Sequence, residues 1–108
     1  MATALLVIDV QMAFVARRDA GEPWANPQAD TNIATLIAAF RDKGLPVVHV
    51  HHHGTDPRDD FHAKAPGVAP QPAAMPLDAE PVFIKQGSSA FIGTGLTDYL
   101  ADQEIGAL

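Results

Sequence analysis

The sequence predicts an α/β domain built on a parallel sheet, and three observations carry that expectation. The run Leu5-Leu6-Val7-Ile8 is apolar without alternation, which suits an interior strand covered on both faces. A segment of helical period occupies residues 31–43, and a β-branched run from Val47 to His51 follows after a short turn. Strand, helix and strand in that order form a right-handed crossover unit, the element from which parallel sheets are assembled.

Each element has its own local reason. The first strand spans residues 4–10 and reaches an acid, Asp9, near its end. Residues 15–29 carry Arg17, Arg18, Asp19, Gly21, Pro23, Asn26 and Pro27 without a period, so a loop is expected there. In the helix, Ile33, Leu36, Ile37 and Phe40 fall at the i, i+3, i+4, i+7 spacing of one face. Asp30 or Thr31 is the expected N-cap, Lys43 suits the negative end of the helix dipole, and Gly44 with Pro46 ends it. Prolines at 57, 66, 70, 72, 76 and 81 make residues 54–81 a long irregular connection, with one helical turn expected near Asp60–Ala63. Val82, Phe83 and Ile84 form a third strand ending at Lys85. The loop "QGSSAFIGT" leads to a second helix near residues 95–104, with Thr94 as cap, Gly106 as stop, and Leu96, Tyr99 and Leu100 on one face.

Composition narrows the function classes. A chain of 108 residues suits one domain, and 47% hydrophobic with 19% charged residues suits a folded one. The net charge of −6, with seven scattered Lys and Arg, gives no reason to approach nucleic acid or an anionic membrane. A small-molecule substrate, neutral or cationic, is the expected partner. No apolar run approaches the roughly 20 residues of a membrane span, and no signal-peptide pattern opens the chain, so a cytoplasmic location is expected. Cysteine is absent, which removes disulfides, thiolate metal sites and a thiol nucleophile from these 108 residues.

The chemistry-bearing residues gather at strand ends. In open parallel sheets ligands bind beyond the carboxyl ends of the strands, and there the sequence places Asp9, the histidine run and Lys85. Asp9 and Lys85 are a candidate pair of opposite charges on neighbouring strand ends; the blander readings are an acid bonded to its following loop and a lysine reaching solvent. "HVHHHGTDPRDDFH" invites a metal site. Strand alternation, however, sends His49 and His51 to one face and His52 to the other, so neither a metal nor another cofactor is expected. "QGSSAF" is a weak candidate for an anion-binding nest. The patterns GxxxxGK[ST], GxGxxG and GxSxG do not occur, which removes support for nucleotide binding and serine-hydrolase chemistry.

Taken together, "ALLVIDVQMAF", "GLPVVHVHHHGTDP" and "EPVFIKQGSSAFIGTGLTDYL", in that order, resemble the isochorismatase-like hydrolase superfamily, which includes nicotinamidases and other cysteine hydrolases. The resemblance implies a three-layer α/β/α, Rossmann-like parallel sheet and an Asp-Lys-Cys triad whose thiol attacks an amide or related carbonyl. Asp9 matches the family's acid and Lys85 its lysine. Phe14 matches a pocket aromatic, Trp24 is a candidate for the same wall, and Gln11 matches a polar position beside the acid. Nicotinamidases carry a metal-binding Asp-x-His after the second strand; here His52 and Gly54 stand at those positions, which argues against that metal site.

The family's cysteine follows a further strand, and Gly106, Ala107 and Leu108 resemble the opening of it. The sequence therefore reads as the front portion of a larger domain, incomplete at its C-terminus and inactive as it stands. Without neighbours on one side, Leu5 to Ile8 would present an apolar edge, so a homo-oligomer is expected. Two alternatives accompany the hydrolase reading. One is a vinyl-ether hydrolase that uses the acid without a cysteine, a route that a neighbouring lysine disfavours. The other is a non-catalytic module that pairs through its open sheet edge.

Overall fold

The structure is a computed structural model that describes residues 2–21 and 28–108. Its strands are β1 (Ala2–Thr3), β2 (Leu5–Ile8), β3 (Val47–His52), β4 (Val82–Lys85) and β5 (Ile105–Ala107), and its helices α1 (Met12–Asp19), α2 (Ala29–Asp42) and α3 (Leu96–Asp102). β2, β3 and β4 form a parallel sheet in that order, with Leu5 opposite Val47 and His52 opposite Lys85. β1 pairs in parallel with β5.

Successive amides of a strand point to opposite edges, which relates the two ladders. The N–H groups of Ala2 and Ala4 donate to Glu104 and Ala107, whereas those of Leu5 and Asp9 donate to Pro46 and Val50. Residues 2–9 therefore hold β5 on one edge and β3 on the other. β5 reaches only the beginning of this segment, and Ile8 remains 40% exposed.

The sheet is covered on both faces, as its continuous apolar strands require. Val48 and Val50 point to one face and pack with Ala90, Leu96 and Leu100, the side of α3. Val7 and Val47 point to the other and pack with Ile37 and Ala74, the side of α2. This is the three-layer α/β/α arrangement.

Several local expectations are corrected. Of the loop expected at 15–29, residues 15–19 are instead helical, the later part of α1. Ala13 is buried against Gly67, where an added Cβ would stand 2.9 Å from that of Ala13, so two small residues let α1 approach the turn at 66–68. Arg17 and Arg18 in its last turn suit the helix dipole, and Gly21, at φ 100°, follows its end. The expected caps also shift. Gln28 precedes α2, and Asp30 lies in its first turn, paired with Arg18 at 3.2 Å. α3 begins after Gly95 and ends before Gly106, which belongs to β5; the Thr94 hydroxyl still accepts from the N–H of Leu96. Residues 54–81 are irregular apart from 3-10 turns at 66–68 and 72–74; near the helical turn expected at 60–63 the chain makes single hydrogen-bonded turns, the N–H groups of His62 and Ala65 donating to the carbonyls of Asp59 and His62, without a helical element.

The α2 face also buries a polar hub. Glu80 accepts from Arg41 Nε and Nη2 at 2.8 and 2.7 Å and from the Leu77 N–H at 3.0 Å, and it lies 2.8 Å from Nε2 of the fully buried His49. The Arg41 guanidinium, above all, holds the Glu80 carboxyl down at about 2, against an ordinary 4.5. A carboxylate held low in the folded state contributes stability above its unfolded value and loses it as pH falls toward the folded one. Glu80→Gln is thus expected to lower unfolding free energy at pH 7 by about 1–3 kcal/mol, and to lose its difference from the parent between about pH 4.5 and 2, as urea titrations at several pH values would read.

The edge of β2 supplies a second expectation. An apolar groove of about 260 Å³, lined by Leu5–Ile8, Val10, Ile33, Leu36 and Ile37, lies beside it. Paired with an unfilled strand edge, such a surface favours association. Light scattering on residues 1–108 should report a mass above the monomer, and a monodisperse, cooperatively melting monomer would defeat this.

Candidate active site

The site is assembled where β2, β3 and β4 end. Asp9 continues the ladder through its N–H, which donates to Val50 at 2.9 Å, and then turns the chain at φ 61°. Aspartate tolerates this left-handed conformation better than most residues. The turn closes with the N–H of Gln11 donating to the Asp9 carbonyl at 2.8 Å, and α1 starts one residue later.

Lys85, the last residue of β4, is only 5% exposed. Its Nζ lies 3.3 Å from Asp9 Oδ2 and donates to the Gly87 carbonyl at 3.1 Å. A buried ammonium is tolerable because both an anion and a carbonyl receive it. Contrary to the expectation of neighbouring strand ends, the two charges sit on strands that are not adjacent, since β3 runs between β2 and β4. Two strand spacings are about 10 Å, and the long lysine side chain with the outward turn at Asp9 closes that gap over the end of β3. Asp9 Oδ1 is buried and has no hydrogen-bond partner among the described residues.

A cleft of about 360 Å³ opens at this pair, lined by Asp9, Phe14, Arg17, His52, Phe61 and Lys85, with Asp59 and residues 86–88 completing it. Phe14 meets Phe61 edge to face at 5.0 Å between centroids, and the Arg17 guanidinium lies 5.8 and 5.3 Å from the two ring centres. The rim thus offers aromatic surface braced by a guanidinium that Asp60 already pairs at 3.1 Å.

Of the residues proposed from sequence, Asp9, Lys85 and Phe14 meet in this cleft. Gln11 does not line it. It is fully buried, its Nε2 donating to the carbonyls of His52 and Val68 at 3.0 and 2.9 Å and its Oε1 accepting from the His52 N–H at 2.8 Å. Trp24 lies outside the described residues.

The histidines divide as alternation requires. His49 and His51 share the α2 face with ring centres 6.3 Å apart, whereas His52 faces the cleft. Burial first, then the charges of His49 and His53, push the His51 imidazole below its ordinary value. Among the described residues no group of three or more His, Asp or Glu side chains could hold a metal ion.

Sequence reasoning missed Phe61, Arg17 and Asp59. Phe61 is an isolated apolar residue among charges, where neither strand nor helix period could mark it. Arg17 was hidden by reading α1 as loop. The histidine run did signal His52, though for metal binding and not for a place in this wall.

Comparison with known proteins gives the family and the fold. The Isochorismatase domain family matches residues 3–108. Two Bacillus subtilis proteins described as uncharacterized isochorismatase family proteins, YrdC and YddQ, are each 34% identical, over 105 and 107 residues that cover 94% and 97% of this chain. The same alignments cover 54% and 58% of those proteins, so the chain spans little more than half the length of the curated relatives it matches.

Among solved structures, an isochorismatase-family protein from Chromobacterium violaceum superposes with a TM-score of 0.85 at 37% identity, covering 95% of this chain and 52% of its own. N-carbamoylsarcosine amidase from Thermoplasma acidophilum superposes with a TM-score of 0.74 at 28% identity, covering 97% and 64%. A cysteine hydrolase from Pseudomonas syringae pv. phaseolicola reaches 0.80 at 20% identity over 95% and 55%, a likeness of fold alone. With the family matched from residue 3 to residue 108 and an Asp–Lys pair set at the strand ends of its α/β/α sheet, the chain belongs to the isochorismatase family.

Proposed function

We propose that the cleft is the acid–base half of a hydrolytic site for a small amide or related carbonyl substrate. One observation carries the reading. Asp9 engages Lys85 through Oδ2 at 3.3 Å while its Oδ1, buried in the same place, has no donor among the described residues. An acceptor left unmatched at the head of a cleft suits a group that takes a proton during reaction, since folded proteins rarely leave buried polar atoms unpaired.

The donor is a thiol furnished from outside these 108 residues, which contain no cysteine. Asp9 removes its proton as general base, and the Lys85 ammonium stabilises the resulting thiolate. The thiolate attacks the substrate carbonyl carbon and the leaving amine departs with the proton that Asp9 took; water then adds to the thioester and breaks its C–S bond, freeing the acid and regenerating the thiol. The likeness to N-carbamoylsarcosine amidase, an amidase by name, supports an amide substrate. The ion pair engages Asp9 as a carboxylate, whereas the vinyl-ether route needs a neutral acid, so the thiol route has the better support.

Asp9→Asn is the cleanest test, because asparagine also accepts the left-handed backbone at φ 61° and replaces the basic carboxylate, with the charge that Lys85 pairs, by a neutral amide of the same shape. In the full-length protein carrying the thiol, assayed on a panel of small amides, Asp9→Asn and Lys85→Met are each expected to lower kcat/KM by about 10² to 10⁴. Turnover at the parent's rate in either variant would remove these roles.

A further inference from the structure

His52 has structural support that the Asp9–Lys85 pair does not explain. Gln11 grips its backbone on both sides, accepting from its N–H at 2.8 Å and donating to its carbonyl at 3.0 Å. Its ring stands edge-on to Phe61 at 5.5 Å and forms part of the cleft wall. Its Nδ1 is enclosed and has no partner among the described residues.

His52 lines the cleft, and Nδ1, unlike Nε2, is an enclosed atom without a partner, so the geometry points to Nε2 as the ring nitrogen open to the cleft. A proton on Nδ1 would bury a donor without an acceptor, the arrangement folded proteins tolerate least. We therefore assign the neutral imidazole its proton on Nε2, where it forms a donor aimed at whatever occupies the cleft. Such a donor recognises an acceptor oxygen.

Asp59 bears on the charge of that occupant. Its side chain lines the cleft, its Oδ1 accepts from the Phe61 N–H at 2.8 Å, and it lies over Gly54, where any Cβ would overlap the carboxyl group. No lysine or arginine among the described residues forms an ion pair with it. Lys85 is engaged by Asp9, and Arg17 by Asp60 at 3.1 Å and by the two phenylalanine rings. With Asp60 counted as the partner of Arg17 behind the lining, three carboxylates (Asp9, Asp59, Asp60) stand against two cations (Lys85, Arg17), and this local excess disfavours an anionic ligand.

We propose that His52 is a specificity residue, donating from Nε2 to the carbonyl oxygen of an uncharged, planar ligand seated against Phe14 and Phe61, while Asp59 excludes the corresponding carboxylate. Gln11 acts through His52 as a positioning residue. The proposal rests on the amide reading of the site and extends it to recognition.

Binding rather than turnover tests it, with benzamide and benzoate titrated against the 108-residue chain by saturation-transfer difference NMR. The parent should bind benzamide about tenfold or more tightly than benzoate. His52→Phe keeps a ring against Phe61 and leaves the backbone grip of Gln11 in place, and it should weaken benzamide about tenfold. His52→Asn, whose amide stands where Nδ1 does and leaves the Nε2 position empty, should weaken it as much. His52→Gln restores a donor at the Nε2 position and should stay within about threefold of the parent. Asp59→Asn should raise benzoate affinity about tenfold and leave benzamide within about threefold.

Absence of benzamide binding by the parent, equal affinity for benzoate, or undiminished benzamide binding in both His52→Phe and His52→Asn would overturn the proposal. None of these outcomes bears on Asp9-dependent turnover. Conversely, the expected binding pattern with turnover indifferent to Asp9 would remove the hydrolytic reading and leave recognition by His52 standing.

Discussion

The geometry of the cleft depends on one buried side-chain amide. Gln11 bonds the backbone of His52 twice and the carbonyl of Val68 once, and its own carbonyl accepts from Gln71 Nε2 at 3.1 Å. Three stretches far apart in sequence, namely the start of α1, the end of β3 and the proline-rich connection, meet on a single residue. Each of these hydrogen bonds adds only about 1 kcal/mol net, but leaving a buried amide unpaired costs about 1–3 kcal/mol for each group. The penalty for misplacement, more than the gain from contact, holds the walls in register.

That fixed frame lets the chain keep two arrangements that would otherwise be unfavourable. One is the left-handed backbone at Asp9, which costs of order 1 kcal/mol and is kept where surrounding structure determines it. The other is an almost fully buried lysine, whose ammonium depends on a carboxylate delivered from two strands away. Both concentrate at the carboxyl ends of the parallel strands, where chain segments turn and a ligand meets side chains from several elements at once.

The opposite face shows what a buried charge does when no cleft is involved. Glu80 is satisfied on all sides by Arg41, His49 and the Leu77 amide, and its carboxyl is held low as a result. Asp9 keeps one oxygen without a donor among the described residues. The same residue chemistry serves folding in one place and is left incomplete in the other, and this incompleteness distinguishes a site from a structural ion pair. The histidine run shows a similar division, with His49 in the hub and His52 in the wall.

Local signals in the sequence determined the sheet and its direction: the unbroken apolar run of Leu5–Ile8, the helical period of Ile33, Leu36, Ile37 and Phe40, and the β-branched start of β3 act through near neighbours and need no distant partner. Asp9 and Lys85 were legible for the same reason, since a charge that ends an apolar strand is visible in a few residues. Tertiary structure alone decided that Lys85 reaches Asp9 across β3, that Gln11 faces inward as a clamp, and that Phe61 and Asp59 leave an irregular connection to complete the wall. Those outcomes depend on contacts between residues 40 to 80 positions apart, and neither periodicity nor propensity carries information over that separation.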